Sequence, residues 1–289
     1  MCWKKPPGRN SSSTSANPPA LPAGLPGTLL VEGPIPAGAD FPSLFVIRPD
    51  GTGRRDLPAG GWANIGRGAS LVVYSVSDGL HLYDFEQGTD MLLSAAGRGA
   101  YHPLLSPEGA RVAYMSTSGD PGLYILPLNG SLPRKVPGTD TWLFPAGWTP
   151  DGRRLVVTRL SEEGSMVEIL EADTGAAEKT FSIRNAKGGF PVLSPGGDRL
   201  AFSELVFGRS AYSVSIAALD GSGRRAVAAL EGGYLVEAGA WSPDGVWLVV
   251  IVSSYADPAT PVQTPVLVRP DTCELAALPF HGAVRGWAP

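Results

Sequence analysis

One five-residue segment recurs along this chain and sets what it can fold into. Trp148-Thr149-Pro150-Asp151-Gly152 stands ahead of Leu155-Val156-Val157, and Trp241-Ser242-Pro243-Asp244-Gly245 stands ahead of Leu248-Val249-Val250. Leu105-Ser106-Pro107-Glu108-Gly109 precedes Val112-Ala113-Tyr114, and Leu193-Ser194-Pro195-Gly196-Gly197 precedes Leu200-Ala201-Phe202. Each segment reads as a turn between two strands. Proline fixes φ near about −65° at the second position, an acidic residue bonds to local backbone at the third, and glycine suits the fourth. The run that follows is apolar at successive positions, as expected of a strand covered on both faces.

Two degenerate copies flank these four. Trp62-Ala63-Asn64-Ile65-Gly66 leads into Leu71-Val72-Val73, and Trp287-Ala288-Pro289 stands at the end of the sequence. The anchors 62, 105, 148, 193, 241 and 287 are therefore spaced by 43 to 48 residues. A period in the forties with about four strands per unit predicts an all-β propeller. Third strands are expected over 80–85, 122–128, 166–172, 212–219 and 266–269, with more polar edge strands after them, as at 224–228 and 274–278. The strand ending at Trp287 has no later strand to pair with, whereas residues 28–31, 44–48 and 54–57 read as a blade lacking its first strand. The prediction is six four-stranded blades over 28–289, with the N-terminal blade closed by the C-terminal strand. Gly (37) and Pro (28) are abundant, and their regular recurrence marks turns.

The first 27 residues carry no hydrophobic period. Ser11-Ser12-Ser13-Thr14-Ser15 and the prolines at 6, 7, 18, 19, 22 and 26 predict a disordered tether. Cys2 ahead of such a tether resembles the start of a mature bacterial lipoprotein, which implies lipidation of Cys2 and an extracytoplasmic membrane anchor. No charged and apolar leader precedes it, so a cytoplasmic protein starting at Met1 is the alternative. The second cysteine, Cys273, reads as a small apolar strand residue, and a Cys2–Cys273 bridge is the lesser alternative.

The Trp241–Gly245 segment, and Trp148–Gly152 with Thr for Ser, resemble the WD40-like Trp-Ser-Pro-Asp-Gly repeats of TolB-type propellers. That resemblance covers residues 28–289. It implies a periplasmic scaffolding role like TolB's, or a gating role like that of propellers attached to prolyl oligopeptidases. Fold does not fix function.

The chemistry is sparse. No Gly-x-Ser-x-Gly elbow, Walker loop, dinucleotide fingerprint or Cys-x-x-Cys pair occurs. A formal charge of −4 without a long basic run argues against nucleic acid. No apolar stretch is long enough to span a bilayer. Of three histidines, His102 and His281 precede turn anchors and are expected near the channel, where they could share a ligand. Two are too few for a metal site, so neither metal nor cofactor is expected. The turn tryptophans are expected to pack between blades. Binding is expected at the channel mouth, through Tyr101, His102, Trp142, Phe144, Phe190, Tyr234, Glu237, His281 and Arg285. The reading is a monomeric, non-catalytic propeller for an unknown envelope protein or peptide. A hydrolase or lyase working in the channel is the alternative, and a sensor ectodomain a third reading.

Overall fold

The computed structural model describes residues 2–4, 21–58, 60–93, 99–139, 143–161, 164–184, 191–206, 211–231, 234–254 and 262–289. Its strands form six antiparallel sheets arranged as the blades of a propeller. Blade 1 runs outward from Ala283–Ala288 through Thr28–Glu32 and Leu44–Ile47 to Arg55–Leu57. Blades 2 to 6 begin with the innermost strands Gly61–Ile65, Ala100–Leu105, Leu143–Trp148, Val192–Leu193 and Tyr234–Trp241, each followed outward by its next three strands in chain order. The expected closure is present, with Leu29 opposite Trp287 and Val31 opposite Val284.

The apolar second strands explain how the ring holds together. Successive side chains on a strand point to opposite faces, so each second strand serves two interfaces. Leu155 and Val157 pack toward blade 3, while Val156 packs toward blade 5. Leu248 and Val250 pack toward blade 5, while Val249 and Ile251 pack toward blade 1. The same division gives a separate apolar cluster between every neighbouring pair of blades.

The recurrent turns have one geometry. The glycine N–H donates to the carbonyl of the Ser or Thr three residues earlier, at 2.8–2.9 Å, for Gly109, Gly152, Gly197 and Gly245. These glycines lie in the left-handed region at φ 68–74°, where a Cβ is costly. The hydroxyl adds a contact that the turn pattern alone did not suggest. Ser106, Thr149, Ser194 and Ser242 each accept the backbone N–H five residues on, at 2.8–3.1 Å. Thr149 and Ser242 also donate to Asp151 and Asp244, at 2.6 and 2.5 Å.

Blade 2 corrects the expected register. Ile65 pairs with Val72, Gly66 N donates to Leu71 O, and Ala69 N donates to Gly66 O. These are the positions that Trp148, Thr149 and Gly152 hold in blade 4. The anchor of blade 2 is therefore Ile65, three residues after Trp62, and its turn is Gly66-Arg67-Gly68-Ala69.

The N-terminus departs further from expectation. Trp3–Lys4 adds a fifth, parallel strand to the outer edge of blade 5, with Trp3 opposite Ala228. Cys2 is disulfide-bonded to Cys273, across a sequence separation of 271. A sulfur in a disulfide has no thiol left for acylation, so the expected lipid anchor on Cys2 is replaced by a covalent link to blade 6. Cys273 sits in the exposed turn before Glu274–Ala277, at φ 60°, and not on a strand. Arg225 reinforces the junction, donating to Pro270 O at 2.6 Å and to Asp271 at 2.8 Å. Leu21 and Leu25 pack on the cluster between blades 6 and 1, and Pro26 O accepts Trp287 Nε1 at 2.8 Å. Residues 5–20, the Ser/Pro-rich core of the expected tether, lie outside the described residues.

Candidate functional site

Six innermost strands surround a channel, and its cavity has a volume of about 590 Å³. Counting back from the anchor of each blade places residues on common levels. Tyr101, Phe144 and Glu237 stand four before their anchors, and Trp62, His102 and Pro145 three before. In blades 2 and 3 the pairing with the second strand is interrupted there by a bulge, which turns side chains that would otherwise alternate, whereas in blades 4 and 6 the shift follows Pro145 and Ala238. Trp62 and His102 occupy the bulge at φ 48° and 51°. Such a backbone is strained for a bulky residue and is held by its surroundings.

The two strained residues meet. The Trp62 and His102 rings are 3.8 Å apart between centroids, and Phe144 approaches His102 edge-on at 5.4 Å. Burial, with the Arg285 charge adding to it, pulls the His102 imidazole down to about 3. The ring is therefore neutral across the physiological range. Arg285 donates from Nε to Glu32 at 2.6 Å, and Glu32 is only 9% exposed. This pair spans the first two strands of blade 1 and compensates both charges at the channel wall. Glu237 faces the same cavity from blade 6.

Of the residues expected at the channel, His102, Glu237 and Arg285 line the cavity. Tyr101 and Phe144 stand beside His102 without lining it, and Tyr234 opens the innermost strand of blade 6, half-buried. His281 is exposed in the turn before Ala283–Ala288 and is not brought to the cavity with His102. Trp142 and Phe190 lie outside the described residues. Among the described residues no group of three or more His, Cys, Asp or Glu is placed to hold a metal ion.

The anchor tryptophans do pack between blades. Trp148 and Trp241 are buried and donate from Nε1 to Leu104 O and Val192 O of the preceding blade, both at 3.2 Å. Arg111 and Arg199 lie over these indoles and reach the next turn's glycine carbonyl at 2.6 and 2.7 Å. Trp62 does not follow them. It is 42% exposed and faces the channel, because it stands in the bulge and not at the anchor. Asn64, Arg67 and Glu32 also line the cavity and were missed, since their roles depend on the register of blade 2 and on the closure of blade 1.

The fold is shared with TolB from Acinetobacter baumannii, at a TM-score of 0.72 and 20% identity over 93% of this chain and 68% of that one. A putative TolB from Agrobacterium tumefaciens gives 0.66 and 17% identity, over 84% of this chain and 92% of that one. An oligogalacturonate lyase in complex with manganese gives 0.51 and 17% identity, over 87% and 72%. At these identities the likeness is one of fold. No protein-family model matches the chain. In sequence it is 29% identical over 112 residues to Tricorn protease homolog 1 of Streptomyces coelicolor, a match spanning 37% of this chain but 10% of that protein. The chain is thus a TolB-like six-bladed propeller in fold, shared by proteins that differ in chemistry.

Proposed function

We propose that the protein is an extracytoplasmic binding propeller, without catalysis of its own, that holds an envelope protein or peptide at the channel through Trp62, His102, Glu237 and Arg285. The observation that carries this reading is the channel cavity. It presents a half-exposed indole tilted against an imidazole held neutral, beside a carboxylate and a compensated ion pair. Pockets of this size with convergent polar groups and a partly exposed aromatic are the usual form of a recognition site. Tyr101, Phe144 and Tyr234 support its rim. The Cys2–Cys273 disulfide favours an oxidising compartment, in keeping with the resemblance of the turns. Among the described residues no helix is long and apolar enough to cross a membrane.

The test is site-specific photo-crosslinking in the native cell, with the probe at position 62 or 237 and a control at Leu132, which is 81% exposed. A discrete adduct from 62 and 237 but not from 132 is expected. No adduct from either channel position refutes the reading. The enzyme alternative is addressed by incubating the protein with oligogalacturonides and manganese. Turnover that Glu237→Gln abolishes would replace binding with catalysis.

A further inference from the structure

The register of blade 2 exposes a break in the symmetry of the ring. The second turn position is proline at Pro107, Pro150, Pro195 and Pro243, and Pro289 holds the matching place beyond Trp287-Ala288. In blade 2 this position is Arg67. These turns follow the ends of the innermost strands, so they surround the channel mouth opposite the one where those strands begin. Pro107, Pro195, Pro243 and Pro289 line the cavity together with Arg67.

Arg67 does not point away into solvent along its own blade. Its Nη2 donates to the carbonyl of Pro195 at 3.1 Å. Pro195 belongs to blade 5, which stands opposite blade 2 in a ring of six, so the side chain crosses the mouth. A guanidinium has five N–H donors and a full charge. Among the described residues Arg67 forms this bond to a neutral carbonyl and no ion pair with a carboxylate. The cavity's other arginine, Arg285, is already neutralised by Glu32. At the mouth Asp244 also lines the cavity, but its Oδ1 is engaged within its own turn by Ser242 Oγ and Val246 N. Arg67 is therefore the cation there without a carboxylate partner among the described residues, positioned by a contact weaker than a bidentate oxyanion would give.

We propose that this mouth is an oxyanion entrance, with Arg67 as the recognising group and the Pro195 carbonyl as its resting partner. A ligand ending in a carboxylate or phosphate displaces the carbonyl and enters between the prolines. The inference rests on the channel being a binding site, and adds the chemistry of what enters it from the turn face.

The test is calorimetric titration of the full chain with succinate and with inorganic phosphate, for the native sequence, Arg67→Lys and Arg67→Pro. Arg67→Pro restores the residue of the other turns, and among the described residues Arg67 N donates no backbone hydrogen bond that a proline would remove. Saturable binding of at least one oxyanion is expected, and which one binds separates the two sources. Arg67→Lys weakens it about tenfold and Arg67→Pro about a hundredfold, the scale of one or two charge-assisted bonds. Unchanged circular dichroism and unfolding temperature show that the variants fold. Equal affinity in Arg67→Pro, or no saturable binding of either anion at millimolar concentration, overturns the proposal. If crosslinking at position 62 persists in that case, the channel reading survives without the entrance. If anion binding depends on Arg67 but no channel adduct forms, the entrance stands and the partner reading fails.

Discussion

Acidification should weaken this propeller through His102, by an amount that one substitution can isolate. The imidazole titrates at 6.5 when unperturbed and at about 3 in the folded chain, chiefly through burial and secondarily through the Arg285 charge. A lowered folded pKa means that the unfolded chain binds the extra proton between these values. Stability therefore rises with pH across that window. Above 6.5 both states are neutral and His102 contributes no pH dependence. Below 6.5 stability falls by about 1.4 kcal/mol per pH unit, and below about 3 the effect is complete. Going from about pH 7.5 to about pH 5 should cost about 2 kcal/mol through this group. His102→Asn is the suited comparison, because Asn tolerates φ near the observed 51° and does not titrate. Urea unfolding of both chains at both pH values gives the double difference, in which changes common to the carboxylates cancel. The native chain should lose about 2 kcal/mol more than the variant. Equal losses would show that His102 is not enclosed as the structure places it.

Other perturbations separate the structural tryptophan from the channel one. Trp241→Ala removes a buried indole, its bond to Val192 O and the stack under Arg199, and should cost about 3–5 kcal/mol in urea unfolding. Trp62→Ala should cost less than about 1 kcal/mol, because the side chain is half-exposed and stands outside the apolar clusters between blades, meeting blade 3 through the His102 ring. Gly286→Ala should lose about 1–3 kcal/mol, since its Cβ would stand 2.6 Å from Ile65 Cγ2 between blades 1 and 2. Cys273→Ser should leave the circular dichroism spectrum in place and lower stability by about 2–4 kcal/mol. The native chain, and not the variant, should gain mass on alkylation only after reduction.

The ring was legible because its strongest signals are local. Pro150-Asp151-Gly152 and Pro243-Asp244-Gly245 encode their turns residue by residue, and Leu155-Val156-Val157 encodes a strand with no solvent face. Closure followed from counting strands. Blade 2 was misread because its turn uses Gly66-Arg67-Gly68-Ala69, so Trp62 was the nearest conspicuous match to the anchor. What defines the anchor is where pairing with the second strand ends, and Ile65 meets that condition without resembling a tryptophan. The channel residues His102, Glu237 and Arg285 were reachable from their positions near the anchors. Arg67 and Trp62 became visible only once the register was known. The Cys2–Cys273 bond joins sites 271 residues apart, and their meeting depends on the tail returning to blade 5, for which Trp3–Lys4 offers no sequence signal.

That bond also changes how the molecule can come apart. The ring is closed at blade 1 by hydrogen bonds between Thr28–Glu32 and Ala283–Ala288, a seam joining two distant parts of the chain. In an open chain, parting of that seam would let the two halves of blade 1 diffuse away from each other. Here the disulfide makes residues 2–273 a covalent hoop, and Ala283–Ala288 follows only a short way beyond it. A parted seam is therefore held at high effective concentration with its own partner, and rejoining becomes an intramolecular step. Oxidation should then act mainly on the lifetime of the native ring and less on its shape, so that a reducing environment would shorten that lifetime before it altered the fold.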